Sequence, residues 1–162
     1  MAKEQLTEYI LDNQQKFYRI AYCYVKDQDR ALDIVQNMIC KVFEKQHTLK
    51  NKNAVKTWVY RILINECLDT VRKEKRESLM EQERLPEEIY IERAYEKEDT
   101  INRYMEKLPE NIRVVLQLRY YEELSLKEIA AITDTNLSTV KTRLYHGLEK
   151  LKALLKEGGY EG

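Results

Sequence analysis

Residues 125–151, SLKEIAAITDTNLSTVKTRLYHGLEKL, read as two helices joined by a tight turn. Ser125 and Glu128 form the S-x-x-E pattern of a capping box, in which each residue satisfies a backbone N–H of the other. This box opens LKEIAAIT. After DTN, Ser138 is the expected cap of the second helix. Within that helix Val140, Leu144, Leu148 and Leu151 recur at steps of four, four and three, the apolar stripe of a helix lying on a core. Ile129 and Val140 are placed to pack across the pair, and Ala130 lets the two helices approach. Such a layout is a helix-turn-helix, whose second helix enters the major groove leading with its N-terminal residues. Here those residues are Ser138, Thr139, Lys141, Thr142 and Arg143, with Tyr145 and His146 following. Arg and Lys suit guanine edges or phosphates, and Thr meets bases or a thymine methyl. A helical hairpin with a solvated charged face shares much of this pattern, so the pattern alone leaves both readings open.

Upstream of this pair, ENIRVVLQLRYYEE carries Ile112, Val115, Leu116 and Leu118, and DTINRYMEKL is a short helix ending at Pro109. The second half therefore reads as four helices. The first half reads as three. Ile10, Phe17, Ile20, Ala21, Tyr24 and Val25 mark one. Ala31, Ile34, Val35, Met38, Ile39, Val42 and Phe43 mark the next, with Asp27 or Asp29 as its cap. Val55, Trp58, Val59, Ile62, Leu63, Cys67 and Val71 mark the third. Between the halves, residues 77–98 are acidic and carry Pro86, but they are neither Gly/Ser-rich nor well patterned. They read as a linker able to order on a partner. The expected architecture is all-α: two small helical domains, 1–76 and 99–162, joined by an acidic linker at 77–98.

Composition agrees with this. Of 162 residues, 35% are charged, 43% are apolar, and Gly and Pro together number six, the makeup of a mostly helical chain. No run approaches the ~18 apolar residues that span a bilayer, and the start MAKEQLTEYI lacks a signal-peptide core. A cytoplasmic location is expected. Cys23, Cys40 and Cys67 are far apart and form no CxxC, while His47 and His146 stand alone. That spacing argues against a metal site or disulfide framework and for reduced, mostly buried thiols. No catalytic residues stand out: no triad, phosphate loop or cofactor-binding motif is present, so neither an enzyme nor a small-molecule substrate is expected.

The formal net charge is zero, yet its distribution is uneven. Residues 41–76 hold ten basic and four acidic side chains, residues 77–110 hold five and eleven, and residues 137–156 hold five and one. Two basic segments flank an acidic one, which suits a partner contacted at two separate places.

The sequence LPENIRVVLQLRYYEELSLKEIAAITDTNLSTVKTRLYHGLEKLK closely resembles the C-terminal promoter-binding domain of bacterial RNA polymerase sigma factors. Independently, DRALDIVQNMICKVFEK followed by KTWVYRILINECLDTVRKEKR resembles the N-terminal core domain of the extracytoplasmic-function (ECF, group IV) members of the sigma-70 family. The two matches occur in the family's order and cover about residues 5–76 and 100–156.

The resemblance implies a dissociable polymerase subunit with roles for particular residues. Asp33, Gln36, Asn37 and Lys41, opposite the apolar stripe of the second helix, correspond to the surface that docks on the clamp of the largest polymerase subunit. The C-terminal domain would meet the flap of the second-largest subunit. Arg61, Asn65, Asp69, Arg72 and Arg76 share one face of the third helix, which would read the minus-ten element of promoter DNA. In the preceding loop, Asn51 and Asn53 correspond to the family's pocket for a flipped base, and Lys56 can hold phosphates. Trp58 and Tyr60 are candidates to stack on unpaired bases. Trp58 falls in the apolar stripe, which favours core packing, whereas Tyr60 falls off it and is the better candidate for contact. Ser138, Thr139, Lys141, Thr142, Arg143, Tyr145 and His146 would meet the minus-thirty-five element, partly through DNA shape. Asp134 replaces the family's usual turn glycine, and Asp tolerates the left-handed conformation. Gly147 marks either a close approach to another backbone or nothing. The acidic linker would thread toward the RNA exit path, and an anti-sigma factor, often membrane-anchored, would hold the protein inactive. No cofactor or metal is implied.

Two other functions compete with this one. A free-standing helix-turn-helix regulator would use its first half to dimerise. A helical protein that only sequesters a partner would leave both basic segments unexplained.

Overall fold

The structure, a computed structural model, describes residues 2–80 and 103–158. It is all-α, and the chain divides into two compact helical units, one reaching Leu85 and the other beginning at Pro86.

In the first unit three helices pack on one another: α1 (Lys3–Val25), α2 (Gln28–Glu44) and α3 (Val55–Met80). α1 stops at Lys26, which turns left-handed at φ 54° while its N–H donates to the Tyr22 carbonyl. Of the two caps expected for α2, Asp27 is the one used: its carboxylate accepts from the Arg30 N–H at 2.9 Å. The polar stretch after α2 forms two 3-10 turns, Gln46–Thr48 and Lys52–Ala54. Phe17, Leu6, Met38, Ile34 and Leu63 are fully buried between the helices.

The buried arc of α3 is rotated from the expected stripe. Val59, Tyr60, Leu63, Ile64 and Cys67 face inward, while Trp58, Ile62 and Val71 are only half-buried. Both α1 and α2 press on α3, so the arc turns toward where those two meet. There the Tyr60 ring stands edge-on to Phe17, at 5.8 Å and 78°, a favourable aromatic geometry. α3 also continues to Met80, four residues beyond Arg76. From Glu81 onward the acidic linker and its suggested path lie outside the described residues.

In the second unit the helix before Pro109 enters the described residues only at its last turn, 103–105. α4 (Glu110–Leu116) follows and widens into a π-helical turn at Gln117–Tyr121. Then come α5 (Leu126–Thr133) and α6 (Leu137–Glu157). The core gathers Leu116, Leu118, Leu124, Ile129 and Val140, each at most 2% exposed.

The apolar stripe of α6 holds for only part of its length. Val140 and Leu144 are buried, but Leu148 is 36% exposed and Leu151 is half-buried. α6 has 21 residues and α4 has seven. At 1.5 Å per residue the one is about 31 Å long and the other about 10 Å, so α4, which meets α6 at Gly147, covers only part of it. Among the described residues, no helix is long and apolar enough to cross a membrane.

Candidate nucleic-acid interface

The capping box at Ser125 forms as expected. The Glu128 N–H donates to Ser125 Oγ at 3.0 Å, and the Ser125 N–H donates to Glu128 Oε1 at 2.9 Å. α5 ends at Asp134 in the left-handed region, φ 56° and ψ 45°. The Thr135 N–H then donates to the Ala130 carbonyl at 3.0 Å and closes the turn.

The cap of α6 differs from expectation. Asn136, not Ser138, accepts from the Thr139 N–H, at 2.9 Å. The helix begins at Leu137, so Ser138 is already inside the first turn. Its hydroxyl donates instead to Asn136 Oδ1 at 3.2 Å and steadies the capping amide.

With the turn fixed this way, α6 buries Val140, Leu144 and Gly147 on one side. Ser138, Lys141, Thr142, Tyr145 and His146 are exposed, while Thr139 and Arg143 are half-buried at the edges. Gly147 does mark a close approach, but to side chains rather than backbone. A Cβ there would lie 2.7 Å from Ile112 Cγ2 and 3.0 Å from Leu116 Cδ1.

In the first unit, Arg61, Asn65, Asp69, Arg72 and Arg76 are all exposed, at the spacing that sets them along one face of α3. Asn51, Asn53 and Lys56 are exposed just before them. Asn51 has a local task as well: its Oδ1 accepts from the Asn53 N–H at 2.9 Å and caps the second 3-10 turn.

Of the two aromatics, the one expected to be the better candidate for contact is the more buried. Tyr60 is 2% exposed, held against Phe17, and offers no ring face to a base. Trp58 is the half-buried one. Position relative to an assumed stripe misplaced Tyr60, because the real stripe is centred elsewhere.

On α2, Asp33, Gln36 and Asn37 are exposed. Asp33 and Asn37 line an open groove along the α2–α3 seam with Thr70, Lys73 and Glu77, and the Arg30–Glu74 ion pair, 2.9 Å long, lies in the same groove. Lys41 differs from these three. It is half-buried, and its ammonium donates to Glu66 of α3, a carboxylate only 7% exposed. That hydrogen bond, with the attraction of Glu66, Asp69 and Glu44, raises the Lys41 pKa above 10.5 against the opposing effect of burial. Lys41 is thus a cross-helix partner, not a free member of the α2 surface. Glu66 was missed in the sequence, although a signal was there: it is a lone carboxylate between Leu63 and Cys67 on the apolar side of α3.

The thiols are less buried as a group than expected. Cys67 is buried, Cys23 half-buried and Cys40 exposed. Burial pushes the Cys67 thiol well above its ordinary pKa. Tyr9, desolvated beside the core, is pushed up to about 12.

Two family descriptions match the chain: Sigma-70 region 2 over residues 9–77, and Sigma-70 region 4 over residues 98–151. Among curated relatives, the RNA polymerase sigma factor SigV of Bacillus subtilis is 38% identical over 160 residues, covering 96% of each chain. The ECF sigma factor SigW of the same organism is 30% identical, covering 88% of this chain and 84% of its own. Among solved structures, the sigma factor RpoE of Bartonella quintana, in complex with the anti-sigma factor NepR, superposes with a TM-score of 0.78 at 24% identity. It covers 94% of this chain and 98% of that one, a likeness of fold. Region matches in the order of the two helical units, together with relatives aligned along nearly their whole length, place this chain in the extracytoplasmic-function group of RNA polymerase sigma factors.

Proposed function

We propose that this ECF sigma factor binds core RNA polymerase and leads it to promoters through two polar helix faces, one in each unit. Residues 1–76 dock on the clamp of the largest subunit through Asp33, Gln36 and Asn37. They recognise and open the minus-ten element with Arg61, Asn65, Asp69, Arg72 and Arg76, helped by Asn51, Asn53, Lys56 and the half-buried Trp58. Residues 99–162 meet the flap of the second-largest subunit and read the minus-thirty-five element through Ser138, Thr139, Lys141, Thr142, Arg143, Tyr145 and His146. The protein works in the cytoplasm as a binding subunit with no catalytic step, cofactor or small-molecule substrate of its own. An anti-sigma factor, such as those bound by its structural neighbours, restrains it by covering these surfaces.

The observation that carries this reading is the division of α6. Its buried side is fixed by Val140, Leu144 and Gly147, and its opposite side presents Lys141, Thr142, Tyr145 and His146 at the surface. That is how a recognition helix is displayed for a major groove.

The test is run-off transcription with purified bacterial core polymerase on DNA from upstream of the protein's own operon. A discrete start that appears only with the protein supports the reading. Lys141→Ala or Arg143→Ala should lower that transcript while leaving polymerase binding intact. A base-reading side chain costs about 1–3 kcal/mol and relaxes specificity, whereas a phosphate contact mainly lowers the salt dependence. Equal loss of polymerase binding and transcription would overturn the separation of roles.

A further inference from the structure

Two ion pairs join α2 to α3, Arg30 to Glu74 and Lys41 to Glu66. The partners ascend along α2 as they descend along α3, the order required of antiparallel neighbours. They differ in setting. Glu74 is 30% exposed at its side chain and Arg30 57%, so their pair is solvated and contributes little. Glu66 is 9% exposed at its side chain and lies among Leu63, Ile64 and Cys67, all buried. A buried carboxylate needs a fixed partner, and the amine that supplies it reaches across from the other helix.

The neighbours of this pair give it meaning. Glu66 follows Asn65 directly and precedes Asp69 by three residues, so it sits at the inner edge of the polar face of α3. Lys41 lies one helical turn beyond Asn37 on α2. We propose that Lys41 and Glu66 are a positioning pair: they fix the register of α3 against α2, and so set where the minus-ten residues stand once α2 is docked on polymerase. This rests on the promoter-reading role given above. Apolar packing is non-directional and tolerates small slides between helices, whereas an ammonium–carboxylate bond specifies one alignment. A misplacement of about 1 Å is enough to cost a reaction geometry up to ~100-fold.

The test uses the full-length protein with core polymerase and compares wild type, Lys41→Arg, Lys41→Met and the double variant Lys41→Met/Glu66→Leu. Lys41→Met alone strands a buried carboxylate and should lower the melting temperature. The double variant removes both charges, a replacement that is often neutral for stability, and should melt near wild type and bind core polymerase within about twofold of wild type. Promoter opening, read as permanganate reactivity of minus-ten thymines, should nevertheless slow by roughly tenfold in the double variant. Lys41→Arg, which keeps the bond, should open promoters at close to the wild-type rate.

Two outcomes overturn the proposal. If the double variant opens promoters at the wild-type rate, the pair is structural and nothing more. If it folds yet loses polymerase binding, Lys41 is a docking contact. Should wild type itself fail to bind polymerase, the functional reading falls instead, before any variant is compared.

Discussion

The two units present polar helix faces by different means. The first uses long helices of 23, 17 and 26 residues, with Lys41 of α2 bonded to the buried Glu66 of α3. The second joins the 21-residue α6, through its turn, to an α5 of only eight residues, which is too short to be stable by itself. There the ends matter most: the Ser125–Glu128 box, the left-handed Asp134 and the Asn136 cap follow within twelve positions. In a short helix the unsatisfied terminal N–H and C=O groups are most of the backbone. In a long one they are a small share, and lateral register becomes the harder problem.

Four experiments bear on this contrast. The largest effect is expected from Phe17→Ala. Phe17 is fully buried and touches the rings of Tyr9 and Tyr60, so its loss should cost about 3–5 kcal/mol. The chain has a single tryptophan, Trp58, so denaturant unfolding followed by its fluorescence reports on the first unit. A cost below about 1 kcal/mol would mean that the long helices hold without this core, against general experience with buried aromatics.

Gly147→Val should destabilise the second unit by about 1–3 kcal/mol. The new side chain meets Ile112, whose β-branching leaves it little room to turn away. Unfolding followed by circular dichroism measures the loss, and Gly147→Ala, whose Cβ alone already meets Ile112 at 2.7 Å, should lose less than Gly147→Val.

Next comes Asn136→Ala, expected to cost about 1 kcal/mol through loss of the Thr139 N–H bond. Ser138→Ala should cost only a few tenths of that, roughly the range of an exposed substitution. The reverse order would restore Ser138 as the cap and weaken the claim that α6 begins at Leu137.

The smallest effect is a pH dependence of the first unit. Tyr9 titrates at about 12 in place of 10.0, and Lys41 is raised above 10.5. Both folded values lie above the unfolded ones, so their contributions are complete below about pH 10 and are lost as pH rises through the folded values. The Trp58-monitored melting temperature should therefore decline from pH 10 toward 12. Tyr9→Phe should flatten part of that slope, leaving the share that belongs to the Lys41–Glu66 pair.

Much of this was legible in the sequence, for reasons that differ by residue. Helix period exposed the elements, and the S-x-x-E spacing identified the box at Ser125 because that motif is local. Asp134 could be expected to turn left-handed because the conformation depends on its own side chain. The burial of Tyr60 was not legible because an apolar stripe read along one helix does not reveal which two neighbours will press on it. The bond of Lys41 to Glu66 was not legible for a related reason: its partner lies 25 residues away, and no local pattern connects them. Asn136 and Ser138 are both good caps, and only the true start of the helix chooses between them.

The π-helical turn at Gln117–Tyr121 has a genetic consequence. Such a turn is an α-helix with one residue added, and each residue of an α-helix turns the chain by about 100°. Here the widened ladder closes with the Glu122 N–H donating to the Gln117 carbonyl, and the Leu124 N–H then donates to the Leu118 carbonyl in the short loop that precedes α5. A one-codon deletion that restored an ordinary α-helix here would turn the point at which the chain leaves for that loop by about 100°. The direction in which the chain departs toward α5 is thus written as a count of codons, and a frame-preserving deletion there should do more harm than most substitutions.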